Sequence, residues 1–237
     1  MKLRTRVVFQ LAALCLAMGA YGFAADNAYL YIVHGIPGRD VAKNLSPVFP
    51  IDVLINGDTC LPRDVATGIV SGPFSFPAGT YEVLISEANS LAPCTNTPII
   101  NSQVNLTAGA SVSAVLALSG GQPILQQYTN DLTTVAAGNA RFTLVQVVDD
   151  SALQATLTQV GVKNPQTFTV TTSPGKQQAI TVPYGTYLIQ LMVSGNTTVL
   201  ASDTMALGNQ SATFAYTTGE TINNSVTLVN KTVLDVF

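Results

Sequence analysis

Apolar and polar residues alternate in short bursts along this chain. Turn residues interrupt the bursts at intervals of about 8–12 residues, the spacing of strands in a sandwich or barrel. The bursts predict strands over Ala28–His34, Ile51–Asn56, Gly72–Phe76, Thr80–Ser86, Pro98–Leu106, Ala110–Leu118 and Pro123–Tyr128. A second series follows at Ala140–Val147, Leu153–Val160, Gln166–Thr171, Gln178–Thr181, Thr186–Val193, Thr197–Ala206, Gln210–Tyr216 and Ser225–Val229, with Thr232–Phe237 left to pair or fray. No window of helical length shows an i, i+3, i+4 apolar stripe that does not read equally well as β-branched strand. The chain is therefore expected to be all-β. Two runs break the alternation: Tyr29–Val33 and Ala114–Leu118 are apolar on both faces. Only one face of a sandwich strand meets the core. The other face needs a cover, from a sister domain, a partner or long loops.

The pattern is written twice. Phe76-Pro77-Ala78-Gly79-Thr80-Tyr81-Glu82-Val83-Leu84-Ile85 returns as Val182-Pro183-Tyr184-Gly185-Thr186-Tyr187-Leu188-Ile189-Gln190-Leu191. Each is a Pro/Gly turn feeding a β-rich strand. Ala28–Val33 matches Ala140–Val145, and Leu106–Ser113 matches Ala206–Thr213 loosely, each read as a strand–Gly–strand hairpin. The repeat is about the length of one small β domain. Asp131–Asn139 reads as the linker, which divides the chain into residues 25–137 and 138–237, the second a degenerate copy.

The first 24 residues read differently. Lys2, Arg4 and Arg6 precede an apolar run from Val7 to Met18, and Gly22-Phe23-Ala24 supplies the small residues of a cleavage site. This is the pattern of a secretory signal peptide. The run is shorter than the roughly 20 residues of a membrane span, and Leu14 before Cys15 does not fit a lipid-attachment site. Cleavage removes three of ten Lys+Arg and none of thirteen Asp+Glu, so the mature chain is more acidic than the −3 of the whole. An acidic chain without a basic patch disfavours nucleic acid as a partner. Charged residues make up only 10% of the chain, yet no later apolar run reaches spanning length. The expected location is outside the cytoplasm: periplasmic, cell-surface or extracellular.

Cys60 and Cys94 remain after cleavage. In an oxidising compartment an even pair is most simply a disulfide. Its loop of about 35 residues gives about 4 kcal/mol on the chain-entropy estimate. A redox or metal pair lacks both a C-x-x-C and a second His.

The first repeat resembles the secreted bacterial family named domain of unknown function 4397. The residues that carry the likeness are Val33-His34 with Pro37, Ile51-Asp52-Val53 with the Asn56-Gly57 turn, and Pro77-Ala78-Gly79-Thr80-Tyr81. The second repeat keeps Pro183-Tyr184-Gly185-Thr186-Tyr187 but has Val145-Gln146 in place of Val-His, and Leu153–Leu157 in place of the Asp-Val strand. The resemblance implies tandem immunoglobulin-like β-sandwiches behind a signal peptide, and it implies no activity.

Candidate chemistry is thin. His34 is the only histidine, and a Ser-His-Asp arrangement with Asp52 would need an activated Ser. No G-x-S-x-G elbow presents one, so a His34–Asp52 hydrogen bond that pins a loop is the structural reading. Asp52, Asp58 and Asp64 with Asn56, and separately Asp149-Asp150, are oxygen-rich but lack EF-hand spacing. Tyr29, Tyr31, Tyr81, Tyr184 and Tyr187 are candidates for a sugar-stacking platform, yet Trp is absent. Tyr81 and Tyr187 more simply resemble sandwich corner tyrosines, whose hydroxyl ties back to the backbone. Asn-x-Ser/Thr occurs at Asn44, Asn105, Asn196, Asn209, Asn223 and Asn230, as a Thr-rich chain produces by chance. A terminal Phe237 is also found on outer-membrane barrels, but the aromatic girdles of those barrels are missing.

These readings favour a non-enzymatic binding or structural module without cofactor, metal or catalytic residue. Its partner would be an unidentified extracellular protein or glycan, and no membrane-spanning segment remains after signal cleavage. A secreted hydrolase or metal enzyme centred on His34 and Asp52 is the second reading. A surface-layer or filament subunit is the third.

Overall fold

A computed structural model describes residues 27–36, 49–119, 122–147, 151–218 and 227–233, the last segment by its backbone. The signal segment, Cys15, Pro37, Asn44, Asp149, Asp150, Asn223 and Phe237 lie outside the described residues. Sixteen strands run through the described chain. The first eight are β1 (Ala28–His34), β2 (Ile51–Ile55), β3 (Thr59–Cys60), β4 (Val70–Phe76), β5 (Gly79–Glu87), β6 (Ile100–Leu106), β7 (Ser111–Ser119) and β8 (Gln122–Asn130). The second eight are β9 (Asn139–Gln146), β10 (Leu153–Gln159), β11 (Thr167–Thr172), β12 (Gln177–Pro183), β13 (Gly185–Val193), β14 (Val199–Leu207), β15 (Ala212–Thr218) and β16 (Thr227–Val233).

The strands form four sheets. The first series gives β4-β1-β7-β8 and β3-β2-β5-β6; the second gives β12-β9-β15-β16 and β11-β10-β13-β14. Adding eight to each strand number of the first series reproduces the second. Duplication is thus visible in topology even where sequence identity has faded. All pairings among described residues are antiparallel except β1 with β7 and β9 with β15. The two-residue β3 is too short to show in the periodicity. It is created by the Asn56-Gly57 turn, whose left-handed φ values of 50° and 76° fold the chain back on β2.

Two expected hairpins are absent. β6 pairs with β5, but β7 lies in the opposite sheet beside β1, so Thr107–Ala110 is an arch between sheets. The Gly208–Ser211 turn does the same between β14 and β15. A strand–Gly–strand pattern cannot tell an arch from a hairpin, because both need only a tight turn between apolar strands.

Each copy is a sandwich with its own core. In the first, Leu30 and Ile32 of β1 and Val112, Ala114 and Leu116 of β7 meet Val53, Val83, Ile85 and Val104 of the facing sheet. In the second, Phe142, Leu144 and Ala215 face Leu153, Leu157, Tyr187, Ile189 and Leu191. Period-two alternation places these residues inward.

The doubly apolar strands are covered by the sister copy. Val33, Val115, Ala117 and Tyr128 on the outer face of the β4-β1-β7-β8 sheet pack with Val145, Val147, Phe214 and Tyr216 on that of the β12-β9-β15-β16 sheet. Each Val or Phe moved from water into such a joint contributes about 1.5–3 kcal/mol. Buried polar contacts fix the register of the two faces. The Ser113 Oγ lies 2.6 Å from the Tyr216 hydroxyl and donates to Asn130 Oδ1. The Tyr128 hydroxyl donates to the Gln146 carbonyl, and Gln177 Nε2 to the Thr129 carbonyl at 2.7 Å. Burial pushes the Tyr128 and Tyr216 hydroxyls far above the ordinary tyrosine value, so both stay protonated donors. The stack is four sheets deep, with β3-β2-β5-β6 and β11-β10-β13-β14 outermost.

Candidate functional site

His34 ends β1, fully buried. Its Nε2 donates to the Phe49 carbonyl at 2.7 Å, two residues before β2 begins. Its Nδ1 has no partner among the described residues. Burial lowers its pKa from 6.5 to about 4, against the opposing pull of the Phe49 carbonyl. The imidazole is therefore neutral at pH 7, with the proton on Nε2. The hydrogen bond expected between His34 and Asp52 is not made: the one N–H of the neutral imidazole goes to the Phe49 carbonyl, and Asp52 accepts from backbone N–H groups.

Gln146 holds the matching position in the second copy. Its Nε2 donates to the Ser151 carbonyl at 2.8 Å, two residues before β10, and its Oε1 accepts from the Leu153 N–H. Different side chains in the two copies thus tie the end of the first strand to the start of the second. In the first copy Ile51 N–H, the counterpart of Leu153 N–H, is taken by the Val65 carbonyl. That leaves His34 Nδ1 without a donor. The Val145-Gln146 departure carries this signal in the sequence. Residue type hides it, because imidazole and carboxamide share a donor role rather than a side-chain class.

Asp52, 2% exposed, sits on β2 beneath the β5–β6 connection. Its Oδ1 accepts from Asp64 N–H at 3.0 Å, and its Oδ2 from Asn89 N–H at 3.1 Å and Cys94 N–H at 3.0 Å. Burial alone would raise its pKa. The three N–H groups and the nearby Arg63 outweigh that and hold it below the usual carboxylate value. This carboxylate is a cage for backbone, buried and held ionised by three N–H groups. Asp64 and Cys94 both adopt left-handed φ, at 53° and 60°, so the cage holds two turns that prefer other residues.

Cys60 and Cys94 are disulfide-bonded across a separation of 34 residues. The bond and the Asp52 cage pin residues 88–99 from two sides. Asn89 Oδ1 accepts from Leu91 N–H and Ala92 N–H, and the Thr95 hydroxyl donates to the Ala92 carbonyl. The ordered loop leaves Leu91 96% exposed at its tip. The second copy has only the short Ser194–Thr198 turn here, with neither cysteine nor carboxylate.

The doubled Pro-x-Gly-Thr-Tyr motif has one role in both places. The Tyr81 hydroxyl donates to the Pro77 carbonyl at 2.7 Å, and that of Tyr187 to the Pro183 carbonyl at 2.6 Å. The glycine between them lies against the ring: a Cβ on Gly79 would stand 3.6 Å from the Tyr81 ring, and one on Gly185 3.9 Å from the Tyr187 ring, both ordinary van der Waals contacts. Gly185 also has φ +153°, which side chains rarely adopt. Pro77, Gly79, Pro183 and Gly185 are thus partners of the two tyrosines. Gly57 serves the β2–β3 turn.

The remaining candidates are dispersed. Tyr29 and Tyr184 are exposed, while Tyr31 and Tyr187 are buried and Tyr81 lies at the far corner of the first sandwich. They form no common platform. Asp58 accepts from the Thr59 hydroxyl, and no group of three or more His, Cys, Asp or Glu fit to hold a metal occurs among the described residues. No helix of the described residues is long and apolar enough to cross a membrane.

A family model described as Domain of unknown function (DUF4397) matches residues 28–155. No curated protein matches the chain. Among solved structures, the Bacillus anthracis TIE protein is 13% identical with a TM-score of 0.25, over 82% of this chain and 32% of that one. The chain thus spans about a third of that protein. A Bacteroides ovatus protein whose description names cell adhesion is 11% identical with a TM-score of 0.28, over 88% of this chain and 96% of that one. Neither likeness bears on function.

Proposed function

From the premise that the chain belongs to the family Domain of unknown function (DUF4397), matched over residues 28–155 and described without an activity, we propose a non-enzymatic binding or structural module that works outside the cytoplasm. One observation carries this reading. The residues best suited to catalysis are spent on the fold: His34 fills the role that Gln146 fills in the sister copy, and Asp52 is buried and holds three backbone N–H groups. A catalytic imidazole has no such carboxamide equivalent, since Gln neither takes nor gives a proton at neutral pH. The disulfide supports export, as does the basic-then-apolar start of the sequence. The rigid joint supports a spacer that presents surfaces at fixed positions. The test is a hydrolase screen of the purified mature protein with ester, glycan and peptide substrates, beside His34→Gln. Silence in both proteins is expected. Turnover in the parent that vanishes in a folded His34→Gln variant sinks the reading.

A further inference from the structure

The flank of the second sandwich formed by β11 and β12 is left bare where the same flank of the first is closed. Adding eight to each strand number makes β11 the counterpart of β3, and β12 that of β4. β3 is two residues long, and Pro62 and Asp64 follow it. β4 carries Pro73, which has no N–H to offer, and its pairing with β1 shifts register there. β11 runs six residues, Thr-Phe-Thr-Val-Thr-Thr, with no proline, no charge and no register shift. β12 carries no charge either, and its one proline, Pro183, closes the strand. The other edges of the outer sheets, β6 and β14, are guarded. Gln127 holds both the N–H and the C=O of Asn105 on β6, and β14 carries Asp203 and a register shift. Natural edge strands use such devices against pairing with another chain.

The register fixes which backbone groups β11 leaves over. Just before the strand, the Gln159 N–H donates to the Gln166 carbonyl at 3.0 Å. Antiparallel pairs alternate between bonded and unbonded, so Phe168, Val170 and Thr172 bond to Leu157, Ala155 and Leu153. The N–H and C=O groups of Thr167, Thr169 and Thr171 point the other way, off the edge of the sheet. None of them has a partner among the described residues. The side chains of these three threonines stand on the exposed face, and those of half-buried Phe168 and buried Val170 and Thr172 on the core face. The nearest charges along the chain, Lys163 and Lys176, fall in the loops beyond the two ends.

We propose that a second copy of this chain pairs here, β11 against β11, antiparallel about a two-fold axis at Thr169. Thr169 then faces its own equivalent, and Thr167 faces Thr171 of the partner. In this register every left-over N–H and C=O of the three threonines is bonded. A two-fold axis perpendicular to the sheet keeps the exposed faces on one side and the core faces on the other. Opposed threonines on the exposed face form a favourable cross-strand pair. On the core face half-buried Phe168 comes opposite Val170 of the partner, and the two four-stranded sheets fuse into one. Strand addition at an edge draws its affinity from such main-chain bonds. The edge is its own complement: both sides are uncharged, and one patch serves both subunits, as a two-fold contact requires. The contact also closes on itself, because the matching edges of the first copy are broken, so assembly stops at the dimer. The inference rests on the structural side of the reading above and names its partner.

The test is sedimentation equilibrium of the purified mature protein from about 1 μM to about 1 mM, a range that spans weak to moderate affinities. A reversible monomer–dimer equilibrium within it is expected. Thr169→Pro removes an N–H that β10 does not use, so the variant should fold and its dimer weaken about tenfold or more. Thr169→Lys and Thr169→Asp each set like charges against one another at the axis and should weaken it as much. Mixing these two variants should restore the dimer, because position 169 then meets its opposite charge. Gln103→Arg on the outermost sheet of the first copy should leave the equilibrium unchanged. Urea unfolding checks the fold of each variant, and where Thr169→Pro does not fold, the charged pair decides. A parent that stays monomeric at the highest concentration overturns the proposal. So does a dimer that either charged variant leaves intact, a mixture of the two that stays monomeric, or assembly that grows past the dimer. None of these outcomes touches the non-enzymatic reading, which the hydrolase screen tests by itself.

Discussion

Replacing His34 by Gln installs in the first copy the side chain that the second copy already uses at that place. The carboxamide keeps an N–H for the Phe49 carbonyl, so His34→Gln should lie within about 1 kcal/mol of the parent at pH 7, the size of one neutral hydrogen bond. The pH dependence should differ sharply. The folded imidazole has a pKa lowered from 6.5 to about 4 by burial. For a group depressed on folding, the stabilisation is complete above 6.5 and is lost as pH falls toward 4, because the unfolded chain takes the proton first. At 1.36 kcal/mol per unit, the parent should lose about 3 kcal/mol between pH 7 and pH 4 on this account. Gln does not titrate, so the variant should be spared that loss and become the more stable protein near pH 4. Urea unfolding of both proteins across this range reads the difference directly. Asp52 and Asp131 titrate in both and cancel. Parallel stability curves would refute the buried neutral imidazole, and a variant unfolded at pH 7 would refute the equivalence of His34 with Gln146.

Asp52→Asn removes the negative charge and one of the two acceptor oxygens from the cage, at about 1.5–3 kcal/mol per charge-assisted bond lost. The folded carboxyl is held below 3.8, so this stabilisation is present above 3.8 and lost as pH falls through the lowered value; denaturation curves should show the gap to the parent closing in acid. Cys60→Ser with Cys94→Ser should cost about 4 kcal/mol in the same assay, and a loss near zero would mean that the Asp52 cage alone holds residues 88–99. Tyr187→Phe should cost more than Tyr81→Phe: each loses the bond to its proline carbonyl, about 1 kcal/mol, but Tyr187 is fully buried and its hydroxyl also accepts from Gln159 Nε2. Calorimetry should show both copies melting in one transition, which Val115→Asp at the joint splits in two; two transitions in the parent would show that the joint does not couple them.

What can be read from the sequence is what repeats in it. Strands with period two are legible because their inward residues alternate, and the two tyrosine corners because Pro, Gly and Tyr hold fixed offsets. The arches at Gly109 and Gly208 are not, because sheet membership is decided by partners about 70–80 residues away and leaves no local mark. The need for a cover over Tyr29–Val33 is posed by the sequence, but choosing the sister copy requires Val145, Phe214 and Tyr216 in space. Around His34 and Asp52, residue type points to a pair. Geometry separates them, since Phe49 and the N–H groups of residues 64, 89 and 94 are invisible as chemistry in a one-letter string.

The joint is reciprocal. β8 lies against the β12 segment and β4 against β16, and the duplication exchanges these two pairs. Two sandwiches joined back to back in this way have outer sheets that look in opposite directions, about 30 Å apart for three sheet spacings of about 10 Å. A flat surface gripped by one outer face is therefore out of reach of the other. Two flat surfaces that met both outer faces would be held apart by the thickness of the molecule.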